Sequence, residues 1–147
     1  MKLRVKKLEH CFQIPTYATE GSAGLDLYAC HDTRIEPRVL AMECHAKIST
    51  GVCLEIPEGF EGQVRPRSGL AARKAVTVLN APGTIDSDYR GEVKVLLINL
   101  GSTPVDIKRG DRVAQLVIAP VTKVKLVEVS SLDDSERGDG GFGSTGV

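Results

Sequence analysis

Apolar residues along the chain fall in short runs separated by Gly, Pro, Asp and Ser. The runs Leu3 to Leu8, Gly24 to Ala29, Val39 to Met42, Ile48 to Ile56, Phe60 to Val64, Val76 to Leu79, Val93 to Leu100, Val113 to Ile118 and Val124 to Val129 each predict a β-strand. Pro57-Glu58-Gly59 predicts a sharp turn between two of them. Many short strands with turn signals between them predict an all-β sandwich, jelly roll or barrel. Only Ser68 to Lys74 has the composition of a helix, enough for a turn or two. Val95-Leu96-Leu97-Ile98 is apolar at successive positions, so both faces of that strand should be covered, by another layer of the chain or by a neighbouring subunit.

Composition narrows the picture. A chain of 147 residues suits one core of ordinary size, and 41% hydrophobic with 26% charged residues is a globular balance. The 19 basic and 19 acidic side chains cancel, which argues against a surface built to bind nucleic acid. With no Trp, three Phe and three Tyr, the core must rest on aliphatic residues, and each aromatic invites a specific question. From Ser130 the chain turns polar and then glycine-rich, so a β domain over residues 1–129 and a flexible arm over 130–147 are expected. No apolar stretch approaches the ~18 residues of a membrane span, and no secretory signal opens the chain, so a soluble, cytoplasmic protein is expected. Cys11, Cys30, Cys44 and Cys53 then read as reduced thiols.

Four clusters carry chemistry. His10-Cys11, Cys30-His31 and Cys44-His45 offer zinc-ligand types, but strand neighbours point to opposite faces and no C-x-x-C unit is present, which favours plain thiols. Arg65-Pro66-Arg67-Ser68-Gly69 ends a strand and opens the helical segment, an arrangement that suits a phosphate or, equally, a helix start with Ser68 as N-cap. Asn80 to Glu92 reads as a hairpin excursion between two strands. Its Asp86 and Asp88 share a face if extended, and serve as a base with a support, a metal pair or merely a solvated turn. The tail places Arg137, Phe142, Ser144 and Thr145 among glycines. It lacks the Gly-Lys-Ser/Thr of a Walker loop, and an exposed Phe142 suggests docking where a linker would need none.

The segments Ala23-Gly24-Leu25-Asp26-Leu27-Tyr28-Ala29, Pro66-Arg67-Ser68-Gly69-Leu70-Ala71, Gly83-Thr84-Ile85-Asp86-Ser87-Asp88-Tyr89-Arg90-Gly91 and Gly110-Asp111-Arg112-Val113-Ala114-Gln115-Leu116, followed by the glycine-rich tail, resemble in order and spacing the motifs of the homotrimeric dUTP diphosphatase family. The resemblance implies a distorted β jelly roll, a homotrimer whose active sites are shared between subunits, and hydrolysis of dUTP to dUMP and pyrophosphate, which limits uracil in DNA and supplies dUMP for dTMP synthesis. It implies that Asp86 activates the attacking water, that Mg²⁺ rides on the triphosphate, and that Asp26 reaches this ion through water. Arg67, Ser68, Gly69 and Gln115 would contact the phosphates, and Arg137, Gly143, Ser144 and Thr145 would hold the far end of the triphosphate. Asn80, Gly83, Thr84 and Ile85 would pair with the uracil edge and leave no room for a 5-methyl group. Tyr89 would pack on the deoxyribose and Phe142 over the uracil. One departure stands out. Ala75 occupies a position where the family commonly has Gly, and a left-handed conformation there would cost Ala about 1 kcal/mol.

Two other classes compete. A dCTP deaminase of the same superfamily, alone or bifunctional with dUTP hydrolysis, would need a carboxylate aimed at the pyrimidine ring. A non-enzymatic nucleotide sensor would be expected to lose Asp86 or the tail, and this chain has both.

Overall fold

The computed structural model describes residues 1–39 and 44–141. Eleven strands and one helix follow in order: β1 Arg4–Lys7, β2 Thr16–Tyr17, β3 Leu25–Tyr28, β4 Thr33–Ile35, β5 His45–Glu55, β6 Phe60–Arg65, α1 Ser68–Lys74, β7 Val76–Val78, β8 Gly83–Ile85, β9 Glu92–Asn99, β10 Val105–Ile107 and β11 Arg112–Pro120. They form a four-stranded sheet (β1-β5-β9-β7), a five-stranded sheet (β2-β3-β11-β6-β8) and a two-stranded ribbon (β10-β4), with antiparallel pairing throughout. This is a β jelly roll with one short helix.

Alternation along the strands builds the core. In β9, Val93, Val95 and Leu97 are buried while Lys94 is exposed, and they meet Ile48, Val52 and Leu54 of β5 in one cluster with Leu27, Val64, Val113 and Leu116 of the other sheet. Each such side chain contributes about 1.5–3 kcal/mol by leaving water. Of the two expected covers for the second face of β9, the same chain supplies only part. Leu96 and Ile98 are only half-buried, with Leu79 and Leu100 exposed at 46% and 49%.

Two further expectations are corrected. No strand forms over Val124 to Val129. β11 ends at Pro120, and beyond it Val124, Leu126 and Val127 are 74%, 89% and 73% exposed, because no strand edge of the same chain takes them. Val39, expected to open a strand, sits in an exposed turn, and the rest of that run lies outside the described residues. Strand β5 begins at His45, earlier than the apolar run, and β2, β4, β8 and β10 escaped notice because each has only two or three residues amid polar or Gly- and Pro-rich sequence.

The excursion from Asn80 to Gly91 has the expected ends: β7 and β9, which flank it, pair with each other. Between them the chain crosses to the other sheet, where β8 pairs with β6. A bulge between Ser49 and Cys53 bends β5, and Gly51 turns it at φ +70°, where a Cβ would strike Cys11. Helix α1 ends at Ala75 with φ 51° and ψ 29°, so the left-handed conformation that the sequence raised is present.

Candidate active site

The first functional cluster is built where β3, β11 and the start of α1 meet. Asp26 on β3 is 3% exposed; its Oδ1 accepts from Arg67 Nε at 3.2 Å and its Oδ2 from Arg112 Nη1 at 3.2 Å. Arg67 also donates from Nη1 to the Arg112 carbonyl at 3.3 Å. A buried carboxylate between two guanidiniums is thus charge-compensated, and Arg67 is fixed in one place. The cap position of the helix belongs to Arg67, without a side-chain cap bond, and Ser68 is the first helical residue, exposed, so the N-cap reading of Ser68 does not hold. Gly69 follows, without an acidic residue in the first turn.

Gln115 stands opposite Asp26 on one side and Arg65 on the other. It borders a cavity of about 530 Å³ with Gln63, Arg65, Pro66, Ala81 and Pro82. Arg65 is aimed there by a chain of amides: its Nε and Nη2 donate to Gln63 Oε1 at 3.0 and 2.5 Å, and Gln63 Nε2 donates to Glu61 Oε1 at 2.6 Å.

The second cluster sits on β8 and the turn after it. Gly83 and Ile85 are buried and Thr84 exposed between them, while the Asn80 amide lies against Gly83. Asp86 and Asp88 do not share an extended face, because the chain turns: Asp86 accepts at its carbonyl from Tyr89 N at 3.1 Å, and Arg90 Nη1 donates to the carbonyls of Ser87 and Tyr89 at 2.7 and 2.9 Å. Asp86 is exposed. Thr84, Ile85, Asp86 and Tyr89 line a cavity of about 300 Å³ with Lys47, Glu92, Val93 and Lys94. Asp86 and Asp88 also border a larger cavity of about 900 Å³ that includes Arg4, Glu61 and Lys123.

Glu92 anchors the floor of the smaller cavity. Its Oε1 faces His10 Nε2 at 2.9 Å and accepts from Gly51 N at 2.8 Å, and Lys94 Nζ lies 3.4 Å from Oε2. Burial alone would push this carboxyl up, yet the bonds from His10, the Gly51 N–H and Lys94 together hold it below the usual range.

Although Gly83 pairs with Val64, and Ala81 and Pro82 share the cavity of Gln115, Asp86 and Arg67 lie at opposite ends of β6. Its pairing sets Gly62 against Ile85, so Asp86 follows at the Phe60 end, whereas Arg67 comes after the Arg65 end. At the rise of a β-strand that separates them by roughly 20 Å along the sheet. The structure brings together Asp26, Arg67 and Gln115 at one end, while the run from Asn80 and Gly83 through Thr84 and Ile85 passes along β6 and carries Asp86 and Tyr89 to the other. Arg137 is exposed and donates to the Gly140 carbonyl at 2.7 Å, within a turn of its own. Phe142, Gly143, Ser144 and Thr145 lie outside the described residues.

Arg112, which shares Asp26 with Arg67, was missed as a site residue. Its signal was its position in Gly110-Asp111-Arg112, where a charged residue begins a buried strand. Nothing in the sequence pointed to the pairing of His10 with Glu92, 82 positions apart. Among the described residues no group of three or more His, Cys, Asp and Glu side chains is gathered to hold a metal ion, and the four cysteines are free and buried. No helix among them is long and apolar enough to cross a membrane.

A fixed arginine cluster and, at the other end of the same strand, an exposed carboxylate are groups that suit chemistry on a phosphate. Comparison with known proteins names the family: a sequence profile described as dUTPase matches residues 10–146, and the chain belongs to the dUTPase family. The deoxyuridine 5'-triphosphate nucleotidohydrolase of Hydrogenobaculum sp. is 55% identical, with 100% of this chain and 99% of that one covered. That of Zymomonas mobilis is 52% identical, with coverage of 100% and 99%. Among solved structures, a dUTPase of Staphylococcus bacteriophage 80alpha with dUPNHPP superposes with a TM-score of 0.85 at 29% identity, covering 99% of each chain.

Proposed function

We propose that this enzyme hydrolyses dUTP to dUMP and pyrophosphate, and that each of its sites is completed by neighbouring subunits of a homotrimer. The observation that carries the shared site is the separation along β6: a base at one end cannot serve a phosphate held at the other, so Asp86 of one subunit must meet Arg67 of another. The half-covered Leu96 and Ile98, the exposed Leu79 and Leu100, and the apolar positions of residues 121–132 supply surface for that association.

In this reading Arg67, Ser68, Gly69 and Gln115 hold the α- and β-phosphates, with Arg67 kept in place by Asp26. Asp86 accepts the proton of a water that attacks the α-phosphorus, and the pyrophosphate leaves on the opposite side. Its exposed position suits a group that must meet water. Asn80, Gly83, Thr84 and Ile85 read the uracil edge through close backbone, and the buried Gly83 leaves no space for a 5-methyl group. Tyr89 packs on the deoxyribose. Residues 130–147 form the arm that closes over the site, with Arg137, Gly143, Ser144 and Thr145 at the terminal phosphate and Phe142 on the base.

Asp26 fits the outer sphere of Mg²⁺: each oxygen has spent one acceptor position on an arginine, and among the described residues it belongs to no group of three or more metal-ligating side chains. The ion, when bound on the triphosphate, would neutralise its charge. A cytoplasmic enzyme acting on the free nucleotide pool fits this chemistry, and the family assignment favours it over dCTP deamination or nucleotide sensing.

Product analysis tests the reading. With Mg²⁺ the protein should convert dUTP to dUMP and pyrophosphate, and EDTA should suppress the rate. Release of ammonia from dCTP, or intact dUTP after long incubation, would sink it.

A further inference from the structure

The ring of Tyr89 folds back over the chain that follows it. Its hydroxyl donates to the Glu92 carbonyl at 3.1 Å, and the ring crosses Gly91 so closely that a Cβ there would lie 2.6 Å from Cζ, 3.0 Å from Cε2 and nearer still to Oη. The backbone itself makes no demand for glycine at this point, since Gly91 is not among the residues with positive φ. The three atoms that a side chain there would meet first all belong to the ring. Its anchor is also fixed, because Glu92 is tied through its carboxylate to His10 and to the Gly51 N–H.

We propose that Gly91 is a positioning residue for sugar selection: by lacking a side chain it lets the Tyr89 ring lie flat against the turn, where the ring closes the space a ribose 2'-hydroxyl would need. The inference rests on the sugar-packing role given to Tyr89 above. An alanine at 91 would push the ring outward, and because Tyr89 is 46% exposed it has room to swing into solvent. The effect should therefore fall on the ring's position and leave the fold intact.

The experiment compares kcat/KM for dUTP and UTP in the wild type, Gly91→Ala, Tyr89→Ala and the double variant. Tyr89→Ala should raise the UTP-to-dUTP ratio, and Gly91→Ala should raise it in the same direction by about tenfold or more. In the Tyr89→Ala background the same alanine should change the ratio by less than about twofold, since the steric conflict has gone. An unchanged ratio in Tyr89→Ala would overturn the sugar role of Tyr89, and this inference with it. Relaxation in Tyr89→Ala without relaxation in Gly91→Ala would overturn the inference alone, as would an equal effect of Gly91→Ala in both backgrounds. Should Gly91→Ala fail to fold, the double variant must fold, and its failure to do so would also overturn the proposal.

Discussion

Ala75 shows how one residue can be read correctly from sequence and its cost located. It closes α1 in the left-handed conformation, with its N–H donating to the Ala71 carbonyl at 3.0 Å, so the backbone bond is made at the expense of a crowded Cβ. Ala75→Gly should raise stability by up to about 1 kcal/mol, a gain in melting temperature of about 2–4 °C at fixed subunit concentration. An unchanged or lower melting temperature would mean that the added freedom of the unfolded chain outweighs the relief. Asp86 makes the opposite case, because its importance is chemical and little structure depends on it. It is exposed, and no hydrogen bond to its carboxylate forms among the described residues, so Asp86→Asn should fold normally. Turnover of dUTP should fall by about a thousandfold or more, while a non-hydrolysable dUTP analogue keeps its affinity within about threefold. Substantial turnover in that variant would remove Asp86 from the role of base.

At the scale of elements, local alternation made most strands legible and long-range pairing stayed hidden. That β9 is a strand and Ser68 to Lys74 a helix was readable because each follows from its own residues, whereas the period-two burial of β9 was hidden by its successive apolar positions. The run Val124 to Val129 misled because apolar alternation predicts a strand only where an edge takes it, and within one chain this run pairs with none of the sheet edges. The Asp26–Arg67–Arg112 cluster was half legible: the motifs marked Asp26 and Arg67, but not that they would neutralise each other. Glu92 lay outside sequence reasoning altogether, since its partners arrive from β5, from β9 and from the segment after β1. Its carboxyl is held below the usual range, so the ionised form is favoured in the folded state. The stability it contributes is complete above the unfolded-state value of about 4.3 and is lost as pH falls through the folded value. Glu92→Gln should cost about 1–3 kcal/mol at neutral pH. In urea denaturation the gap to the wild type should narrow as pH falls below about 4.3; a gap that stays constant would assign the loss to packing.

For the molecule as a whole, neutral charge hides a division of labour: arginines gathered at one end of β6 and a carboxylate at the other. The few aromatics divide in the same way. Phe12 lies under Arg109, 5.4 Å from its ring centroid, where it holds the N-terminal segment, while Tyr89 lines a cavity. Fold class was legible from one chain because a β core is a property of one chain. The candidate site was legible through its motifs, and its proposed sharing between copies only through the resemblance, because no pattern within one chain says that Asp86 of one copy is to meet Arg67 of another. That claim has a direct measurement. Asp86→Asn and Arg67→Gln variants, each inactive as a homotrimer, are co-expressed with different tags, and the mixed trimers are purified and assayed with dUTP. If each site takes Asp86 from one subunit and Arg67 from another, every mixed trimer has one site in three with both residues, and activity should return to about a third of the wild-type level. Mixed trimers as inactive as their parents would mean that both residues act from the same chain, and would contradict the account.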